Sequence, residues 1–555
     1  MENKKIARTL RLLSHLMELH EENPFKIKSI ANAAFKIDKL PFKIAGKPAG
    51  EIEKIEGIGK STAAKIEELI KTDSITDLEA LLQSTPEGVV EMLGIKGLGP
   101  KKIAIIWRDL HIENIGELLY ACNENRLVEA KGFGLKTQEE IKKMIEFRMA
   151  SNGSFLYAQV EPEAAKLFDS LKAVLPDSLM DFSGQYRRNC EIINELSIVI
   201  GTRDPSIGIS AITDAELLMN FKIDECHLTG ELENGLMVEL ICVEKRYYFK
   251  ELFKQTGSEE HVDEVLKRIA DQDIDQPESE QLIYLKAGLL WIHPELREGT
   301  DILNSAIPTE LITPGDLVGT LHNHSDWSDG VNSIKDMALY CRNELKLQYL
   351  GICDHSKSAI YAKGLSIERV YAQHKEIDAL NKELDNFHIF KGTEADILND
   401  GSLDYPDEVL KTFDFVVASV HSNLRMEKSK ATARLIKAIE NPYTTILGHP
   451  TGRLLLTRKG YEINYEKVID ACAANNVVIE INANPLRLDL DWRWQGYALT
   501  KGVMLSINPD AHRVESFHDM KYGVLVARKA GLTREHCLNA HDLAAITEIF
   551  KKKKP

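Results

Sequence analysis

Residues 321–330 read LHNHSDWSDG and hold three potential metal ligands, His322, His324 and Asp329. Six more follow at separated points: His355, Glu394, His421, His449, Asp510 and His512. Most end a short apolar run or start the turn after one, as in LGICDH, IFKGTE, FDFVVASVH, TTILGH and VMLSINPDAH. A single histidine is ordinarily a solvated or core residue. A succession of ligand-bearing strand ends is a different matter, because such ends converge on one mouth of a barrel. Nine nitrogen and oxygen donors exceed the needs of one ion and suit a cluster of two or three. Between these runs lie helical stretches: IKDMALYCRNELK, a segment around 366–385, ATARLIKAIE and YEKVIDACAA, with a longer loop before VMLSINPDAH. That alternation predicts parallel β/α architecture with the ligands at the C-terminal strand ends.

A chain of 555 residues predicts about three to five domains. Its apolar fraction of 44% is ample for globular cores. The eight cysteines show no CxxC and read as reduced thiols of a cytoplasmic protein. The charged start MENKKIARTL predicts no signal peptide, and no window is apolar enough to predict a membrane span. The net charge of −16 argues against a broadly basic nucleic-acid binder. The first fifty residues nonetheless hold ten Lys/Arg against five Asp/Glu, so contact with DNA should be local. The tail KKKKP reads as a solvated, frayed end.

The first 150 residues read as helical and repeat one unit: KIEGIGKSTAAKIEELI (54–70), LGIKGLGPKKIAIIW (93–107) and VEAKGFGLKTQEEIKKMI (128–145). Each has an apolar turn, Gly-x-Gly (Gly57/Gly59, Gly97/Gly99, Gly132/Gly134), a nearby cation (Lys60, Lys101, Lys136) and a helix. Glycine allows the tight turn, and the unpaired N–H groups of the helix start suit a phosphate oxygen. Ordinary helix packing is the alternative for any one copy. The triplet resembles the helix-hairpin-helix DNA-binding motif, which implies sequence-independent contacts to the sugar-phosphate chain.

Residues 183–201, SGQYRRNCEIINELSIVIG, read as a turn-rich loop entering a strand. The segment resembles the nucleotidyl-transfer signature of the family X DNA polymerases. Gly184, Tyr186, Arg187, Arg188 and Glu191 match that family. Gln185 replaces its triphosphate serine, and Asn189 and Asn194 replace glycines. Glu195 and Ser197 replace the paired aspartates, and Glu239 of GLMVELI stands where a third is expected. TGS (256–258) matches the sugar-side turn, and LIYLKAGLLWIHPELREG (282–299) resembles the end of the thumb. In-line phosphoryl transfer with two ions needs bridging carboxylates. A serine there, and glutamates longer by a methylene, predict polymerase activity that is lost or weak. Residual activity with Mg or Mn through Glu195 and Glu239 remains an alternative. The resemblance covers residues 1–305. It implies for Lys65, on the helix after the first hairpin, Schiff-base chemistry at abasic sugars, with a solvated lysine or a phosphate contact as the other readings.

Residues 318–555 resemble the PHP (polymerase and histidinol phosphatase) domain, since all nine ligand positions match its metal motifs. EINANPLRLDLDW (480–492) matches the version fused to bacterial family X polymerases. Donors without thiolate suit Zn, Mn or Fe. Glu394 and Asp329 are the candidates for bridging ions. Asp354 is expected to orient an imidazole or to cap a helix. Arg453, with Lys357 second, is expected on the substrate phosphate unless it forms surface salt bridges.

The expected fold is therefore multidomain. It comprises helical hairpin domains at 1–82 and 83–150, an α+β nucleotidyltransferase-like palm at 151–243 and a thumb at 244–304. A linker (305–317) leads to a distorted (β/α)7-type PHP barrel at 318–555. The resemblance implies a DNA-repair protein, a monomer acting on gapped, nicked or 3′-ended DNA as a 3′–5′ exonuclease or phosphoesterase. Gap-filling synthesis with proofreading, a small-molecule phosphatase and a non-enzymatic DNA-end scaffold are the alternatives.

Overall fold

The computed structural model describes residues 1–128, 130–150, 153–269, 274–305, 308 and 310–553. Three positions of the expected linker (306, 307, 309), Glu129 of the third hairpin and residues 554–555 lie outside them. The chain forms two compact units, Met1–Glu146 and Phe147–Pro555. No helix of the described residues is long and apolar enough to cross a membrane.

The first unit is helical. Helix Asn3–Leu19 buries Ile6, Leu10, Leu13 and Leu16 at helical spacing. Helix Pro24–Asp38 starts with Pro24 in its first turn, and the Asn23 side chain accepts from the Phe25 N–H. The three hairpins share one turn: Ile58 N–H donates to Ile55 O, Leu98 to Ile95 and Phe133 to Ala130, at 3.0, 3.1 and 3.1 Å. Gly57, Gly97 and Gly132 hold φ of +88°, +92° and +85°, which other residues adopt only with strain.

The second unit holds two larger sheets and one small one. In the small one, β1 (Phe155–Leu156) pairs antiparallel with β3 (Ile192–Ile193). The five-stranded sheet comprises β2 (Leu179–Phe182), β4 (Glu195–Thr202), β5 (Met219–Asp224), β6 (His227–Glu231) and β7 (Met237–Glu244), in the order β2-β4-β7-β6-β5. Strands β4 and β7 are parallel and the other pairs antiparallel. Ile198, Ile200, Val238 and Leu240 pack on helix Tyr157–Val174 through Val160, Ala164 and Leu167. A helical segment follows, in which Phe253, Val265, Tyr284 and Ile292 form a separate core.

The third sheet is parallel throughout. Its strands are β8 (Gly319–Thr320), β9 (Tyr349–Ile352), β10 (His388–Asp396), β11 (Phe415–Ser419), β12 (Ile446–Leu447), β13 (Val478–Asn482) and β14 (Leu505–Asn508). They pair in sequence order, and an Asn323–Ala511 bridge joins the chain just past β8 to the chain just past β14. The His324 N–H donates to Ala511 O at 2.8 Å, so the ligand-bearing segments close the barrel. Leu321, Tyr349, Phe390, Phe415, Val417 and Ile446 form its apolar end. All seven expected strands are present.

Two expectations fail here. The longer loop before β14 contains helix Trp492–Thr500, whose Trp, Gly, Tyr and Thr are weak helix formers and hide it from a periodicity reading. The lysine tail is not frayed through residue 553: helix Leu543–Lys553 includes Lys551–Lys553, and Lys553 donates to Asn475 O at 2.6 Å.

Candidate metal centre

The strand ends carry the ligands inward. Glu394 lies in β10, His355 follows β9, His421 and His449 follow β11 and β12, and Asp510 and His512 follow β14. All nine side chains converge. Four overlapping groups have ligand atoms within 4.8 Å of one another: His324–Asp329–His355–His512, His322–His324–Asp510, His322–Glu394–His449 and His355–Glu394–His421. Glu394 is the hub. Its Oε1 is faced by Nε2 of His449, His421 and His322 at 3.0, 3.1 and 3.3 Å. Its Oε2 is faced by His355 Nδ1 at 2.9 Å and His324 Nε2 at 3.7 Å. Asp510 Oδ1 stands 3.0 Å from His324 Nε2, and Asp329 Oδ2 stands 3.5 Å from His355 Nε2.

The donor set fits cations. His322 Nε2 and both ring nitrogens of His324 are buried without hydrogen-bond geometry to any partner, although carboxylate oxygens lie close. Buried polar atoms of this kind ordinarily pair, and several aimed at one region leave room for shared ions. Burial, with His512 and His355 alongside, pushes the His324 imidazole down to about 3, which leaves a neutral lone-pair donor. Burial alone would raise the Glu394 carboxyl, but His421, His322 and His355 hold it well below the usual range.

Two carboxylates that escaped the motif reading orient the imidazoles. His322 Nδ1–H donates to Glu480 Oε1 at 2.7 Å, and Glu480 Oε2 accepts from the His449 N–H at 2.8 Å. His421 Nδ1–H donates to Asp396 Oδ1 at 2.5 Å. Such partners fix tautomer and ring direction. The signal for Glu480 was a carboxylate inside an otherwise apolar strand, VVIEINA, where an unpaired charge is costly, whereas Asp396 ends β10 two residues after Glu394.

The role expected of Asp354 is corrected, and Arg453 takes the salt-bridging alternative. Asp354 accepts from Ser325 N–H and Oγ, Ser328 Oγ and Gln373 Nε2, so it fixes the 325–328 loop rather than an imidazole or a helix end. Burial pushes its carboxyl up to about 6. Arg453 donates to Arg487 O at 2.9 Å, to Asp491 at 2.5 Å and to Leu488 O. Its guanidinium clamps the 487–491 loop and pairs with Asp491. Lys357 is exposed beside Tyr405, 6.0 Å from its ring centroid.

In the five-stranded sheet Ser197 pairs in register with Glu239, and Glu195 stands two residues before Ser197. Burial, then the neighbouring Glu239, raises the Glu195 carboxyl. Glu239 itself lies 3.2 Å from His227 Nδ1. A Cβ on Gly184 would sit 3.4 Å from Ser197 Oγ. Gln185 Oε1 accepts the Asn194 N–H at 2.9 Å, closing the loop locally. Arg187 forks onto Glu280 at 2.6 and 3.1 Å, and Arg188 donates to Thr256 O at 2.8 Å and pairs with Glu298. Glu191 accepts from Trp492 Nε1 and Arg493, both at 3.0 Å, on the barrel.

In the first unit Gly59 and Gly99 have ordinary extended φ, and a Cβ on either would meet nothing within 4 Å. Lys60, Lys101 and Lys136 are exposed. Lys65 is ion-paired with Asp77 at the wall of a cavity of about 540 Å³, lined also by Phe25, Lys26 and Ser61.

Residues 1–75 match the family described as Helix-hairpin-helix domain, and 89–145 match SAM-like Helix-hairpin-helix tandem. The chain is 34% identical over 582 residues to the DNA polymerase/3′-5′ exonuclease PolX of Bacillus subtilis (strain 168), covering 100% of both. A probable phosphatase of Thermoanaerobacter sp. (strain X514) is 31% identical over 189 residues, 32% of this chain and 74% of its own length. Another, from Caldicellulosiruptor saccharolyticus, is 28% identical over 198 residues, 33% of this chain and 74% of its own. With hairpins in front, a ligand-rich parallel barrel behind and a full-length relative across both, the chain belongs to the PolX family.

Proposed function

We propose that the protein is a metal-dependent 3′–5′ exonuclease and phosphoesterase acting on DNA 3′ ends, with its chemistry confined to the barrel. The observation that carries this reading is the convergence of nine donors around Glu394, and Glu195, Ser197 and Glu239 of the five-stranded sheet, where the family resemblance implies aspartates, support it. His322, His324, Asp329, His355, Glu394, His421, His449, Asp510 and His512 would hold two or three Zn, Mn or Fe ions, with Glu394 shared between them. Such ions supply a hydroxide nucleophile near neutral pH and charge stabilisation for the phosphoryl group. Glu480 and Asp396 keep their imidazoles turned inward, and Asp354 holds the Ser325–Ser328 loop that presents Asp329.

The palm (151–243) and thumb (244–304) would then hold DNA without extending it. Ser197 supplies no anion where a bridge is needed, and burial, with Glu239 alongside, disfavours Glu195 as an anion. The hairpin domains (1–82, 83–150) would grip the backbone through Gly59, Gly99 and Gly134 N–H groups and Lys60, Lys101 and Lys136. The open space at Gly59 and Gly99 supports this, since a side chain there would keep a phosphate away. Lys65 is the candidate for abasic-site chemistry. We place the protein in the cytoplasm as a monomer.

A second reading, small-molecule phosphatase, is favoured by the phosphatase relatives over the barrel. The test is turnover of metal-loaded protein on a 5′-labelled gapped oligonucleotide and on histidinol phosphate. Chelator-sensitive shortening of the oligonucleotide at the higher kcat/KM is expected. Preference for histidinol phosphate would transfer the assignment to the second reading.

A further inference from the structure

Four large apolar side chains stand exposed among the described residues of the barrel: Val331 at 55%, Ile360 at 85%, Tyr371 at 41% and Leu398 at 37%. Scattered single cases would need no explanation. Three of the four are not scattered, Tyr371 lying instead on helix Ile367–Glu383. Val331, Ile360 and Leu398 lie in the loops leaving β8, β9 and β10, which are neighbours in the sheet, at the end where the ligands gather. Val331 is two residues past Asp329, and its N–H donates to His512 O at 2.9 Å. Leu398 is two residues past Asp396. Ile360 precedes Tyr361, whose ring centroid is 6.1 Å from that of His355 and 6.5 Å from that of His421, edge-on to both.

The loop bearing Ile360 and Tyr361 is fixed. Ser356 N–H donates to Glu394 O at 3.0 Å, Leu365 N–H to His355 O at 2.8 Å, and Ser358 N–H to Asp404 at 2.9 Å. Ala359, Ala362 and Leu365 are buried beneath it. Ile360 is therefore presented outward by a loop that is otherwise packed. Val331, Ile360 and Tyr361 share their loops with exposed Asp326, Lys357 and Lys363, and the next two loops, after β11 and β12, add the cations Arg425 and Lys459.

We propose that Ile360 and Tyr361, with Val331, form a ledge that receives the terminal nucleobase of a DNA strand whose last phosphodiester lies on the metal centre. The ledge determines specificity: it favours nucleotides over small phosphate esters and tolerates any base, because every base offers an apolar face. Arg425 and Lys459 lie toward the phosphates of the preceding residues. This rests on the nuclease reading above.

The test pairs two 5′-labelled single strands, one ending in thymidine and one in a base-free tetrahydrofuran residue, with wild-type protein and the Ile360→Ser/Tyr361→Ala variant. Wild type should trim the thymidine end with kcat/KM roughly 10-fold higher, carried mainly by KM, the size expected for one stacked base. The variant should lose that difference while binding as much metal as wild type, and Tyr361→Phe should keep it. A gap that survives in the double variant, or loss equal on both ends, overturns the ledge while leaving the nuclease reading intact. Failure of wild type to trim either strand overturns the nuclease reading and the ledge with it.

Discussion

Replacing Glu394 by Gln should reduce 3′ trimming on the order of 10²–10³-fold or more, the scale of deleting a central electrostatic element of an active site. Amide and carboxylate have nearly the same shape, so packing in β10 is preserved. What disappears is the anion faced by His449, His421 and His322 on one oxygen and by His355 and His324 on the other. Glu394 occurs in two of the four ligand groups, so its loss should lower bound metal by at least one ion per chain, measured by elemental analysis. His322→Ala and Asp510→Ala should behave alike, because both stand in the His322–His324–Asp510 group. Full metal content together with full trimming in Glu394→Gln would remove Glu394 from the centre of the site.

Lys529→Met should loosen the barrel from the segment that carries Arg188 and Glu298. The Lys529 side chain is buried, ion-paired with Glu298, donating to Arg188 O at 2.7 Å and lying 4.7 Å from the Trp492 ring centroid. Breaking a buried pair by removing one partner costs about 3–5 kcal/mol. Arg188 still pairs with Glu298, so the lower end of that range is expected. The neighbouring dock remains: Glu191 with Trp492 and Arg493, Glu161 with Lys521 and Tyr522, and Arg528 with Glu295. The expected result is faster proteolysis between thumb and barrel and an earlier first unfolding transition, with metal content unchanged. Combining Lys529→Met with Glu298→Gln should cost less than the sum of the single changes, by roughly 0.5–3 kcal/mol. Burial raises the Glu298 carboxyl, but Lys529 and Arg188 bring it down to about 2. Its contribution is therefore fully present above pH 4.5 and fades as pH falls toward 2. Unchanged proteolysis in Lys529→Met would show that this contact does not hold the dock.

The ligands were legible because metal binding restricts residue type severely and strand ends are marked by apolar runs. The hairpins were legible because a positive φ at Gly57, Gly97 and Gly132 demands glycine three times over. Glu480 was not singled out because it sits in the middle of β13, and Asp396, the last residue of β10, was not singled out because Glu394 two residues earlier already supplied that strand's ligand. The contacts of Arg453 were not legible for a different reason. Its position four residues past His449 suggested reach to a phosphate, but direction is set by the loops it clamps. Those loops turn through left-handed residues, Leu456 and Leu488, that no periodicity announces. Helix Trp492–Thr500 was hidden by weak propensity. The palm–barrel dock joins residues some 300 apart in sequence, as in Trp492 to Glu191 at |i−j| of 301, a separation at which local patterns carry no information.

The separation of roles between barrel and palm is tested most directly by one reaction series. Purified protein is incubated with a 5′-labelled primer on gapped DNA and Mn²⁺, with and without all four deoxynucleoside triphosphates. Products shorter than the primer are expected in both reactions, and none longer. Robust extension on adding the nucleotides would contradict this separation, and would return Glu195, Ser197 and Glu239 to the status of a working polymerase site.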